Sequence, residues 1–242
     1  MTNKNKQAVF FPRLSYFAGL IAGVFLVFIA TWADMEATFY GFPRQADPGL
    51  TGFACPVLMT RGDSNTLSFS INNQTDSKIT PSVKLWVSTP ILPEEYNEMA
   101  ELAPGESKRF TWQVDARNID LERFIFAKAM MYSSYPLPSQ EATCGIFILD
   151  LPLSGRVIFP ALIAIGLLGM GWGLFRMYKT RGANEWVDKN VPALTFIAVV
   201  LAIGFVSSLM GAWIQSILVL AVIALMLFIL LSSFMLSERR KQ

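Results

Sequence analysis

The chain has 242 residues, 53% of them hydrophobic and only 16% charged, with a formal net charge of +2. An ordinary soluble domain carries about 25% charged residues, so that class is excluded. The absence of histidine excludes Ser–His–Asp and Cys–His catalytic sites, histidine proton relays and histidine-ligated metals, and two cysteines alone cannot build a structural zinc or iron–sulfur centre. No catalytic residue set, metal or cofactor is expected.

The charges are unevenly spread. Residues 14–33, 157–175 and 190–237 contain none. A bilayer-crossing helix needs about 20 apolar residues, so these stretches predict an integral membrane protein. Residues 1–13 form a short tail with Lys4, Lys6 and Arg13, and the first span runs over 14–33. Its apolar run exceeds the hydrophobic core of a secretion signal, and Thr31-Trp32-Ala33 is a poor cleavage site, so the segment reads as a retained anchor. The second span is 157–175. The third stretch would make a helix of about 70 Å, more than twice the hydrocarbon thickness, and must fold back. A break around Gly211 divides it into spans at 191–210 and 214–236.

Lysine and arginine set the orientation. They occur in the first tail, in the 176–190 loop and in the 237–242 tail, whereas the 207–216 turn has none. With four spans, all three basic segments fall on one side. Both termini are therefore expected to be cytoplasmic in a plasma (inner) membrane, with residues 34–155 outside. The outer segment holds 15 acids and 9 bases, a net −6. The basic charge follows topology, so a nucleic-acid partner is not expected.

Residues 34–155 change to an alternating pattern. Leu67, Phe69 and Ile71 share one face of a predicted strand, as do Val83, Leu85 and Val87, and Phe110, Trp112 and Val114. Arg123–Tyr132 and Thr143–Leu149 are further β-rich runs, and turn residues such as Pro104-Gly105 separate them. The expected fold is therefore membrane α + β, with four transmembrane helices and an immunoglobulin-like antiparallel β-sandwich inserted between helices 1 and 2. Leu102-Ala103-Pro104-Gly105-Glu106-Ser107 followed by Phe110–Val114, together with Leu67–Asn73, resembles the bacterial Ig-like surface sandwiches of cell-adhesion-related and fibronectin-III-like type. The resemblance covers about residues 50–150. It implies a binding or spacer domain without naming a ligand.

Cys55 and Cys144 both lie in the outer segment, where an oxidising compartment favours a disulfide. Closing so long a loop is worth about 4–5 kcal/mol in the chain-entropy model. Glu94, Glu95, Glu98 and Glu101 form the densest acidic cluster, and Pro93 suggests a short helix carrying them on a solvated face. The cluster lacks a calcium-loop pattern. Arg61-Gly62-Asp63 is an integrin-type tripeptide in a turn, and Asn73-Gln74-Thr75 is a glycosylation sequon.

The spans hold no Asp, Glu, Lys or Arg, which argues against an ion pathway. They do hold small residues at helical spacing. Gly19 and Gly23 form GxxxG in the first span, and Gly169 and Gly173 form another in the second. Such pairs let helix backbones approach closely.

A domain tethered at both ends suits a non-enzymatic accessory or assembly subunit of a membrane complex, docking through its sandwich and its helices. Its expected partners are the lipid bilayer and another integral membrane protein or a second copy of itself. An exposed Trp86, Ile91, Leu92, Glu94, Glu95 and Glu98 are the candidate contact residues. A membrane-anchored module binding glycan or cell wall is the alternative, and a small membrane enzyme or transporter component is the third.

Overall fold

The computed structural model describes residues 3–42, 46–132, 138–182 and 185–239. Arg240 and Lys241, on which part of the orientation reading rests, lie outside the described residues. The chain divides into a helical unit, residues 1–31 and 159–242, and a β-rich unit, residues 32–158.

The helical unit contains most of α1 (Asn3–Phe39) and of α2 (Gly155–Lys179), together with α3 (Glu185–Leu209) and α4 (Trp213–Arg239). Among the described residues, four helices are long and apolar enough to cross a membrane, consistent with a multi-pass membrane protein. Ile21, Leu167, Leu168 and Phe228 point outward, as they would toward lipid. Tyr16, Leu20, Met177, Val191, Leu194 and Ile197 form the inner cluster. The buried Tyr16 hydroxyl donates to the Leu194 carbonyl at 2.7 Å, so the phenol is satisfied without water. Between α3 and α4 the chain turns at Gly211, whose φ of +70° favours glycine, and Ala212 N–H closes the turn onto the Ser207 carbonyl.

Among the described residues, the β-rich unit holds nine strands: β1 (Asp47–Pro48), β2 (Phe53–Ala54), β3 (Leu58–Thr60), β4 (Asn65–Asn72), β5 (Ser82–Val87), β6 (Glu94–Met99), β7 (Ser107–Val114), β8 (Phe124–Met131) and β9 (Gln140–Leu149). The larger sheet has the order β1-β9-β8-β5-β6, with β3 also on β9, and the smaller has β2-β4-β7. One core cluster draws from both sheets. Leu67, Phe69, Phe110 and Trp112 come from the smaller sheet, and Val83, Leu85, Ile125 and Ile146 from the larger. The alternation in β4 and β7 causes this, because a period of two puts every second side chain on one face.

The expected all-antiparallel arrangement needs correction. β1 and β3 both run parallel to β9, pairing Asp47 with Gln140 and Leu58 with Phe147. β1 and β3 follow β9 in β9's own direction along its outer edge, and the segment between them includes β2, which pairs antiparallel with β4 of the smaller sheet. The Cys55–Cys144 disulfide is formed and ties this segment to β9.

The outer face of the larger sheet is also covered. All eight residues of β8 are buried, Lys128 among them, so the strand is covered on both sides. Part of the cover is the end of α1. Charge at Asp34 and Glu36 ends the apolar run but does not end the helix, which continues to Phe39. The Trp32 ring lies 5.4 Å from Phe124 and 5.9 Å from Phe147, and Tyr40 lies 4.6 Å from Phe126. Asp34 accepts the Gly145 N–H at 3.1 Å. A Cβ on Gly145 would fall 1.9 Å from the Ala33 carbonyl oxygen, so only glycine admits the helix this close.

Candidate functional site

The acidic cluster lies on a strand, not on the helix that Pro93 suggested. Residues 94–99 pair along β5, with Glu95 opposite Trp86 and Glu98 opposite Val83. β5 needs a hydrogen-bonding partner, and this need outweighs the helix-start signal of Pro-Glu-Glu. β6 is the edge of the larger sheet. Its polar alternation suits an edge, where charge discourages uncontrolled strand addition.

The period of two separates the acids. Glu94 and Glu98 share one face, and Glu95 takes the other. Glu94 accepts from the Tyr96 hydroxyl at 2.7 Å, and from the Asn118 amide. Glu95 pairs with Lys84 and accepts from the Trp86 indole at 3.1 Å. The Lys84 ammonium is the main cause holding the Glu95 carboxyl below its usual range. Glu101 lies beyond the strand and pairs with Lys78. Among the described residues, no group of three or more acids or cysteines is arranged to hold a metal ion.

Trp86 is buried, which corrects its reading as an exposed contact residue. Its position on the outer sheet face does point away from the sandwich core. There Lys84 sits 4.9 Å above its ring and Glu95 takes its N–H, so neighbours cover it. Ile91 and Leu92, at the β5–β6 turn, are 89% and 74% exposed.

Two sequence motifs are occupied internally. The Asp63 carboxylate of Arg61-Gly62-Asp63 accepts from Thr60 N–H at 2.8 Å and from Gly155 N–H at 2.8 Å, at the start of α2. Partial burial pushes its pKa up, but hydrogen bonds from Ser154, Gly155 and Thr60 prevail and hold it at about 2. Asn73 of the sequon is fully buried, and its amide donates to the Ser77 and Leu102 carbonyls. A nitrogen so used is no glycan acceptor in the folded chain.

Sequence reasoning missed a buried ion pair. Lys128 and Glu141 meet at 2.8 Å on the outer face of the larger sheet, with Lys128 1% exposed. Glu141 also receives the Ala46 N–H on its side chain, and the Gly49 and Leu50 N–H groups on its carbonyl, so it anchors the strap that follows α1. The available signal was Lys128 itself, the lone charge in Phe-Ile-Phe-Ala-Lys-Ala-Met-Met. A shallow cleft of about 470 Å³ lies between Arg61, Pro90, Ile119, Asp120 and Leu121. Beside it Tyr40 donates to Asp120, and burial first, then this partner, raises the Tyr40 pKa.

In the helical unit the small residues sit at close backbone approaches. A Cβ on Gly19 would lie 2.6 Å from Met170 N, one on Gly169 2.8 Å from the Ser15 carbonyl, and one on Gly173 2.7 Å from the Pro12 carbonyl. Gly23 instead faces Leu201 of α3. The Ser15 hydroxyl donates to the Gly169 carbonyl across the α1–α2 contact.

No protein-family model and no curated protein matches the chain. Solved structures with partial likeness include red sea bream transglutaminase, at 10% identity and a TM-score of 0.32 over 43% of this chain and 17% of that one. A Bacteroides uniformis β-glucuronidase follows, at 10% and 0.30 over 36% and 12%. The DNA-bound alkylpurine glycosylase of Pseudomonas fluorescens matches at 12% and 0.29 over 51% and 36%. This chain thus spans only a minor part of each, and likenesses this weak carry no argument.

Proposed function

We propose that the chain is a non-enzymatic accessory or assembly subunit of a complex in the plasma (inner) membrane. In this reading both termini are cytoplasmic and residues 34–155 form an Ig-like sandwich outside. The basic tails and the basic 176–190 loop support that orientation, because lysine and arginine accumulate on the cytoplasmic side.

The observation that carries the docking role is the edge strand β6. Among the described residues, one ladder of its backbone groups has no strand partner, with Glu95 and Met99 exposed and Glu94 and Glu98 half-buried. An edge of this kind accepts a strand or a basic surface from another protein. The partner is a second integral membrane protein or a second copy of the chain. Trp86 takes no part, being buried.

The test is purification of the tagged full-length protein in mild detergent, followed by mass spectrometry and stoichiometry. The expected result is one stoichiometric membrane partner, lost on Glu98→Lys while the fold is kept. A monodisperse monomer, or a partner indifferent to Glu98→Lys, overturns the β6 docking reading.

A further inference from the structure

We infer that one end of the β-rich unit is a lipid-contacting foot, in which Ile91, Leu92, Leu121, Leu151 and Leu153 enter the bilayer interface. The inference rests on the membrane reading of the four helices and needs no protein partner.

The topology gathers these residues. β8 starts and β9 ends at the same end of the larger sheet, with Phe124 opposite Phe147. The β5–β6 turn reaches beyond that end, since β5 runs antiparallel to β8 and Ser88 N–H bonds the Phe126 carbonyl. Ile91 and Leu92 are the tip of this turn. Leu121 belongs to the loop before β8, where Arg61 of the β3–β4 turn donates to the Glu122 carbonyl. Leu151 and Leu153 lie between β9 and α2. Arg61 is 3.8 Å from Asp150, and Asp63 holds the Gly155 N–H, which keeps the β3–β4 turn and the start of α2 at one level. All five apolar side chains are exposed.

Both chain crossings of the unit lie at this same end. Trp32 packs on Phe124 and Phe147, and α2 leaves directly after Leu153. Both links to the apolar helices therefore leave the unit from one end, the end assigned to the bilayer interface. The opposite end carries the polar Pro104-Gly105-Glu106 turn and Asn72, with Met99 as an exposed apolar side chain there. Exposed apolar side chains gathered at one end mark an interaction site, and an interface rich in acyl chains suits them without a binding pocket. The cations Arg61, Arg123 and Arg156 stand among them, with Glu122 and Asp150. Long arginine side chains at that depth reach lipid phosphates while their stems stay in the apolar layer.

The test is nitroxide depth measurement on the full chain in phosphatidylcholine–phosphatidylglycerol vesicles. Leu92→Cys, Leu153→Cys, Glu106→Cys and Leu168→Cys are labelled singly, with the native disulfide kept. Molecular oxygen and a water-soluble nickel chelate are the relaxing probes. Oxygen is expected to dominate several-fold at 92 and 153, and more strongly at the mid-helix position 168, whereas the chelate dominates at 106. Chelate dominance at 92 and 153, with oxygen dominance at 168, overturns the foot alone. Chelate dominance at 168 removes the membrane reading and the foot with it. Protection of 92 and 153 from both probes marks a protein contact and also overturns the inference.

Discussion

The two units use apolar side chains in opposite ways. In the β-rich unit, apolar residues alternate with polar ones and turn inward, as Leu67, Phe69 and Ile71 do in β4. In the helical unit, large apolar residues such as Leu167 and Leu168 face out, and the contacts include close approaches at Gly19, Gly169 and Gly173. The solvent makes the difference. Water drives apolar area together, at about 25 cal/mol per Å². Lipid, the setting proposed for the helices, offers no such drive, so they meet where small residues permit close packing.

The contrast can be broken most strongly inside the β-rich unit. Lys128→Met leaves Glu141 charged and buried, and is expected to cost about 3–5 kcal/mol. The double change Lys128→Met with Glu141→Leu is expected to recover most of that loss. Thermal unfolding of the full chain in detergent, followed by near-ultraviolet circular dichroism, reads both. Equal destabilisation by the single and double variants would refute the pair's role.

Removing the disulfide by Cys55→Ser and Cys144→Ser together is expected to cost about 2–5 kcal/mol by the same measurement. The transition of the β-rich unit should fall while the helix content of the spans persists. In the helical unit, Gly169→Leu forces α1 and α2 apart and is expected to cost about 1–3 kcal/mol. Gly171→Leu, where a Cβ meets open space, is the matched control and should change little.

The smallest effect concerns the junction between β3 and α2. The Asp63 pKa is lowered from 3.8 to about 2 in the folded chain. A depressed carboxylate stabilises the fold fully above its unfolded value. That contribution is lost as the pH falls from about 4 through about 2. Asp63→Asn is expected to cost about 1 kcal/mol at neutral pH, the scale of a lost helix cap, and to flatten the acid limb of the stability profile. An unchanged acid limb would show that the carboxylate contributes nothing there.

Legibility in the sequence followed the range of the interactions. β4, β5 and β7 were readable because their alternation is a local pattern, and β8 and β9 because each holds a β-branched and aromatic cluster, Phe124-Ile125-Phe126 and Ile146-Phe147-Ile148. β6 was not, since Glu-Glu-Tyr-Asn-Glu-Met has no apolar face and the open edge of β5 decides its conformation. Trp86 was misread because the sequence shows which face it takes but not what covers that face. Of the candidate contact residues, the exposure of Ile91 and Leu92 was legible from their place in a turn between prolines.

By itself the sequence determined the four apolar helices and the two cysteines available for a disulfide. Each helix is specified within about 20 residues by bilayer thickness, whatever the rest of the chain does. The tertiary structure alone decided that α1 continues past its apolar run to cover the larger sheet, that Lys128 and Glu141 are buried together, and that β9 takes parallel neighbours. These features depend on groups far apart in the chain, such as Ala33 against Gly145. No local pattern encodes such a contact, because only the assembled sheet brings its two sides within reach.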